Sequence, residues 1–297
     1  MPSSVQIAVP KESATVILVR SNPESNWEVF LACRHRNQSF MAAAYVFPGG
    51  QVDAADADLQ LNNFIAAPDQ FNPQALLQDP GLSPEMAQSI FICAIRETFE
   101  EAGILIAQDS GGHSLKFDSN QSIDRFADYR RELNAGQMTL KEIAEKENLL
   151  LSPEALVPYA HWITPEISPK RFSTRFFLAQ LPEGQLTTTD CDELTDCLWG
   201  TPENILKMHD NKEVMLMPPT LKTLEELAAY TTIDALFSGI KDRAIYPILP
   251  QHSENFLKLP HDPEYGIEKF KVPARLDEPS RIIFTDGIWQ TGFYPNK

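Results

Sequence analysis

Residues 96–104 read Arg96-Glu97-Thr98-Phe99-Glu100-Glu101-Ala102-Gly103-Ile104. Ser83-Pro84-Glu85 upstream is a helix start, with Ser as N-cap, Pro at the first position and an acid in the first turn, and Gly103 suits the residue that ends a helix. The pattern predicts a helix over 84–102. With Glu97 set at 0°, Glu100 falls at about 300° and Glu101 at about 40°, so the three carboxylates share an arc of about 100°. Phe91, Ile95, Phe99 and Ala102 take the opposite side as a core face. Arg96 is four residues before Glu100 and can pair with it.

Like charges held this close repel and raise one another's pKa. A divalent cation removes the conflict, and hard Mg²⁺ or Mn²⁺ prefers carboxylate oxygen and shares its shell with phosphate. The competing reading is a merely solvated acidic face. It is weakened because the acids sit near the helix C-terminus, where the macrodipole disfavours them. It is weakened further by Pro48-Gly49-Gly50, a turn that can expose backbone to a ligand.

Working outward, Ala14–Arg20 and Trp27–Arg34 are rich in β-branched and aromatic residues and read as strands around a turn at 21–26. Residues 54–82 read as an irregular insertion. Residues 108–150 read as a second one, with a turn at Gly111-Gly112 and polar helical stretches near 122–134 and 139–147. HWITPE, RFSTRFFLAQLP and DELTDCLWGTPENIL alternate strand and turn signals, and Thr220–Phe237 reads as one amphipathic helix. Residues 242–297, rich in proline, form an extension, either packed or an oligomer arm.

The 297 residues are 43% hydrophobic and 22% charged, enough apolar surface to fold and bury a core. With 25 Lys plus Arg against 41 Asp plus Glu, the net charge of −16 leaves no overall field to draw nucleic acid or an anionic membrane. Four cysteines without paired spacing fit a reducing cytoplasm. No apolar run is long enough to span a membrane, no secretory leader is visible, and YPNK is not a retention or peroxisomal signal. The six histidines show no metal-ligand spacing and read as incidental.

Gly50 followed at a distance by RETFEEAGI resembles the Nudix box: Gly, five residues, Glu, seven residues, then Arg-Glu-U-x-Glu-Glu-x-Gly-U, with U a bulky aliphatic. Thr98 replaces one aliphatic. Gly50 and Arg96 are 46 positions apart where the pattern gives 14, so 32 residues are inserted. Counting back from Arg96 puts Gln88 where the early glutamate belongs, with Glu85, Asp53 and Asp56 as substitutes that the sequence leaves open. FLACRHRNQSFMAAAYVFPGGQVDAAD, HWITPE and RFSTRFFLAQLP are similar to the branch of the family that includes the peroxisomal acyl-coenzyme A diphosphatases.

The resemblance implies an α+β fold: a Nudix α/β/α sandwich with a mixed sheet, helical insertions and a C-terminal extension. The hydrolase domain would span 1–241, with insertions at 54–82 and 108–150, and 242–297 would follow it. It implies that Glu97, Glu100 and Glu101, with the carbonyl of Gly49 or Gly50, bind Mg²⁺ or Mn²⁺, and that Arg96 orients the acids. The reaction implied is hydrolysis of a diphosphate bond in a small molecule, with coenzyme A or an acyl-coenzyme A favoured. ADP-ribose, NADH or a dinucleotide is the alternative, as is a non-catalytic nucleotide-binding module.

Strand alternation places Arg171, Ser173 and Arg175 on one face, a candidate phosphate-binding face, and Arg34 and Arg36 are further candidates to grip phosphate. Glu193 is the first candidate for a general base and Glu166 the second. A homodimer is admitted.

Overall fold

The structure is a computed structural model, and it describes residues 7–34, 44–187, 194–241 and 243–295. Two long strands, β1 (Lys11–Asn22) and β2 (Asn26–Arg34), pair as a hairpin, Val19 opposite Val29. Their partners are β3 (Ala44–Val46) beside β2 and β4 (Gly49–Gln51) beside the first half of β1. The glycines expected in a turn thus run as a short strand, with Gly50 opposite Ala14.

The first insertion contributes 3-10 turns and the short α1 (Pro73–Leu76), and leads into α2 (Pro84–Ala102). The ends of α2 follow from its sequence. Ser83 Oγ accepts from the Met86 N–H, and Gly103 at φ 72° closes the last turn through its N–H to Thr98 and Phe99. The second insertion holds β5 (Ala107–Gln108), α3 (Asn120–Asn134), α4 (Leu140–Glu147) and β6 (Leu150–Leu151). Both helices carry capping boxes, at Ser119/Ser122 and Thr139/Glu142.

The sheet is completed by β7 (Val157–Ile163), β8 (Phe172–Gln180) and β9 (Leu194–Gly200). β8 runs parallel to β1 and antiparallel to β7, and β9 pairs with β2, so the sheet is mixed. Alternation divides its side chains. Ala14, Val16, Leu18, Phe30 and Phe177 face α2, where Phe91 lies between Phe71 and Phe177 with ring centroids 5.0 and 4.7 Å away. Ile17, Val19, Val29, Leu31 and Leu178 face the other side.

That second side is covered by α5 (Pro202–Asp210), α6 (Pro218–Leu227) and α7 (Ile233–Ile240), with β10 (Met215–Leu216) between the first two. The fold is therefore the expected sandwich of helices on both faces of a mixed sheet. One helix expected over 220–237 is two, because Thr232 caps a new helix by accepting from the Ala235 N–H.

Residues 243–295 add β11 (Pro247–Ile248), parallel to β7, then an antiparallel sheet of β12 (Gln251–Ser253), β13 (Phe256–Lys258), β14 (Arg281–Thr285) and β15 (Ile288–Gly292). Its Leu257, Leu259 and Ile282 belong to the second core.

His161 on β7 is 6% exposed and meets Ser173 Oγ through Nε2 at 2.9 Å. Burial, helped by the charge of Arg175, pushes its pKa down to about 2. The folded chain holds it neutral, whereas the unfolded chain protonates it below about 6.5. The unfolded state then binds the extra proton, so stability falls as pH drops below about 6.5, by up to about 1.4 kcal/mol per unit from this group. Urea midpoints measured from pH 7 to pH 4 should fall less steeply in His161→Gln; equal slopes in the two proteins would refute this origin.

Candidate active site

The face of α2 that carries the acids lies under β4. Gly50 sits directly on Glu97, and a Cβ there would collide with the carboxylate. A Cβ on Gly49 would collide with the Ala14 carbonyl and Thr15. Only residues without side chains let this strand lie so close to both neighbours. The Gly49 N–H donates to Glu101 Oε2 at 2.8 Å, and Cys93 Sγ approaches the Gly50 carbonyl at 3.6 Å. Glu97 and Glu101 are buried, 9% and 5% exposed, and Glu100 keeps partial access to solvent.

Arg96 holds this cluster together. Its Nη1 donates to Glu97 Oε1 and Glu100 Oε2, both at 2.8 Å. Its Nε and Nη2 donate to the two oxygens of Asp56 at 2.8 and 2.9 Å, and Nη2 also reaches the Gln51 carbonyl at 3.0 Å. Asp53 sets this up locally. Its Oδ1 accepts from the N–H groups of Ala55 and Asp56, bending the chain so that Asp56 faces Arg96.

The early acid of the box is therefore neither missing nor near residue 88. Gln88 is bonded to Asn62, and Glu85 is exposed at the helix start. Counted forward from Gly50, five residues lead to Asp56, so the insertion falls after the acid rather than before it. That forward count was the available signal; counting back across the insertion hid it.

Burial sets the electrostatics. It pushes the Glu97 carboxyl well above its ordinary range, with Glu101 and Glu100 adding to the shift and Arg96 opposing it. Burial also raises Glu100 and Asp56 against the pull of Arg96. For Arg96 burial works against the charge, but the hydrogen bond to Asp56 and the charges of Glu97 and Asp56 hold its pKa above the usual arginine value.

Of the other residues singled out in the sequence, Arg171, Arg175 and Glu166 stand apart from this cluster. Arg175 is buried on the α2 side of the sheet, paired with Asp79 at 2.6 Å and Glu12 at 3.6 Å, and donating to Ser173 Oγ. Arg171 donates to the carbonyls of Thr164 and Ala8. Both guanidinium groups tie the protein to itself, because a buried cation requires such partners. Arg34 ends β2 opposite Leu194, and Arg36 and Glu193 lie outside the described residues. Glu166 is exposed in the turn between β7 and β8. One residue went unnoticed. Arg130 of α3 donates to the carbonyls of Glu100 and Glu101, capping the end of α2 from a helix 29 residues away. No local pattern marks it.

Against the other face of β4 lies a cavity of about 650 Å³. Gly49, Gly50 and Gln51 line it, together with Phe47, Trp162, Phe176 and Met217. β4 is thus a wall shared by the acids and the cavity.

Over residues 10–227 the chain matches the family described as the NUDT19 Nudix domain. The chain belongs to that family. This Nudix hydrolase is 27% identical over 307 residues to the Xenopus laevis protein named acyl-coenzyme A diphosphatase NUDT19, across 90% of this chain and 80% of that one. A Gallus gallus protein of the same name is 26% identical over 328 residues, across 93% and 86%. A solved Nudix hydrolase from Alicyclobacillus acidocaldarius shares the fold at a TM-score of 0.61, with 23% identity, over 78% of this chain and 97% of that one.

Nudix proteins use divalent metal ions. Among the described residues no three acidic, His or Cys side chains form a ready metal cage, since Glu97 and Glu100 face Arg96 and Glu101 holds the Gly49 N–H. The donor chemistry nonetheless fits a hard cation. Glu97, Glu100 and Asp56 surround one guanidinium, and Glu101 lies on the same helix face against the Gly49 N–H, an excess of carboxylate that a divalent ion would relieve.

Asp56→Ala would strip Arg96 of its bidentate partner and should cost about 3–5 kcal/mol of stability. Gln88→Ala should cost less than about 1 kcal/mol. Urea unfolding of the two variants gives the comparison, and equal losses would return the early position to residue 88.

Proposed function

We propose that this Nudix hydrolase cleaves the diphosphate bond of coenzyme A or an acyl-coenzyme A, using Mg²⁺ or Mn²⁺ held by Glu97, Glu100, Glu101 and the Gly50 carbonyl. The observation that carries the reading is the buried carboxylate cluster organised by Arg96 under the glycine strand. The relatives named acyl-coenzyme A diphosphatase support the substrate.

In this reading Arg96 fixes the rotamers of Glu97 and Glu100, and the Gly49 N–H fixes that of Glu101. The acids then need little reorganisation when substrate arrives. When bound, the cation offsets the charge of the diphosphate and supplies Lewis acidity at phosphorus. Water attacks one phosphorus, the P–O bond to the bridging oxygen breaks, and the proton leaves with the products, two phosphomonoesters. A binding-only module would be favoured by a box lacking its early acid, and Asp56 on Arg96 supports the catalytic reading instead.

No helix among the described residues is long and apolar enough to cross a membrane. Cys93 is a buried thiol, in keeping with a reducing compartment.

Mass spectrometry after incubation with coenzyme A and Mg²⁺ should find 4′-phosphopantetheine and adenosine 3′,5′-bisphosphate. EDTA should abolish them, and Glu101→Gln should slow their release by roughly 100-fold or more. Cleavage of ADP-ribose or NADH with coenzyme A left intact would overturn the substrate assignment.

A further inference from the structure

The cavity behind β4 is not built by the family-matched domain alone. That domain, residues 10–227, supplies the floor from β1, β4, β7 and β8 and one side from the start of α6. The remaining side comes from beyond residue 227: Pro250, His252, Leu257 and Trp289. Every one of these residues follows β11, in the segment that adds its own four-stranded sheet.

This added wall is anchored. His209 of α5, itself buried, meets the Trp289 carbonyl through Nε2 at 2.8 Å. Thr291 Oγ1 donates to Glu225 of α6 at 2.6 Å. The Trp289 ring packs on Phe284, with centroids 5.0 Å apart. Leu257 is buried and belongs to the core shared with α5, α6 and α7. The position of the wall is therefore fixed by the same helices that cover the sheet.

The chemistry of the lining says what the cavity takes. Among its described lining residues there is no Lys or Arg to pair with a diphosphate. Aromatic, aliphatic and proline side chains dominate, with Ser, Thr and His252 as the polar minority. The volume is that of a site for a drug-sized organic group.

We propose that residues 243–295 form the specificity wall of the substrate site, and that Leu257, Trp289 and His252 bound a subsite for an uncharged apolar moiety linked to the diphosphate, their bulk setting how large that moiety can be. The acyl form of this idea rests on the coenzyme A reading above; the apolar subsite itself does not.

The test uses two variants with opposite effects on space. Trp289→Ala opens the wall, and His252→Trp narrows the cavity from its exposed rim. The readout is the ratio of kcat/KM for dodecanoyl-coenzyme A to that for acetyl-coenzyme A, in the full chain with Mg²⁺. Trp289→Ala should raise this ratio by about tenfold or more and His252→Trp should lower it by a similar factor, since each methylene in an apolar pocket is worth about tenfold or more. Shifts in the same direction, or ratios within about twofold of wild type, would overturn the proposal, because a purely structural role changes both substrates alike.

If wild type cleaves no coenzyme A compound, the coenzyme A reading fails and the wall is judged by binding. The neutral apolar probe N-phenyl-1-naphthylamine should bind saturably, with a Kd altered about fivefold or more by either variant. Absent saturable binding, or a Kd unmoved by both, would overturn the wall. Circular dichroism checks folding, and if Trp289→Ala does not fold, His252→Trp at the rim carries both readouts alone.

Discussion

One guanidinium group holds the site. Arg96 is buried, and in a medium of low polarity its charge is tolerated only because Asp56, Glu97, Glu100 and the Gln51 carbonyl surround it. The converse also holds. Burial raises the pKa of Asp56, Glu97 and Glu100, and Arg96 is the one described cation that pairs with all three. Arg96 therefore joins three parts of the chain: the box helix, the glycine strand above it and the start of the first insertion.

The insertions support this arrangement from two directions. The first begins by delivering Asp56 and later returns Asp79 to pair with Arg175 on the sheet. The second returns Arg130 to the last carbonyls of α2, where an unsatisfied helix end meets a positive charge. An inserted segment that only looped outward would make none of these contacts. On the other face of the sheet the extension plays a comparable part, closing a cavity whose floor is the reverse side of the same glycine strand. Charged and apolar chemistry are kept apart by one strand that has almost no side chains of its own.

Local signals in the chain were sufficient for much of this. Ser83 and Gly103 marked both ends of α2, because capping is decided by a few adjacent residues. The spacing of Glu97, Glu100 and Glu101 placed them on one face, because helix geometry is periodic. The alternation of Arg171, Ser173 and Arg175 was likewise legible, but not their use: a strand pattern says which residues share a face and not what lies opposite. Thr220–Phe237 read as one helix because the apolar spacing continues through a break made by a cap at Thr232.

The sequence by itself determined the box helix, its acidic face and the family likeness, all set by neighbours within about one or two turns. Only the tertiary structure decided that Asp56 partners Arg96, that Arg175 answers to Asp79 and Glu12, that Arg130 caps α2, and that residues beyond 227 wall the cavity. Those pairings join residues tens of positions apart or more. They are fixed by which surfaces pack together and by the requirement that every buried charge find a partner, and apart from the count from Gly50 to Asp56 neither leaves a mark in local spacing.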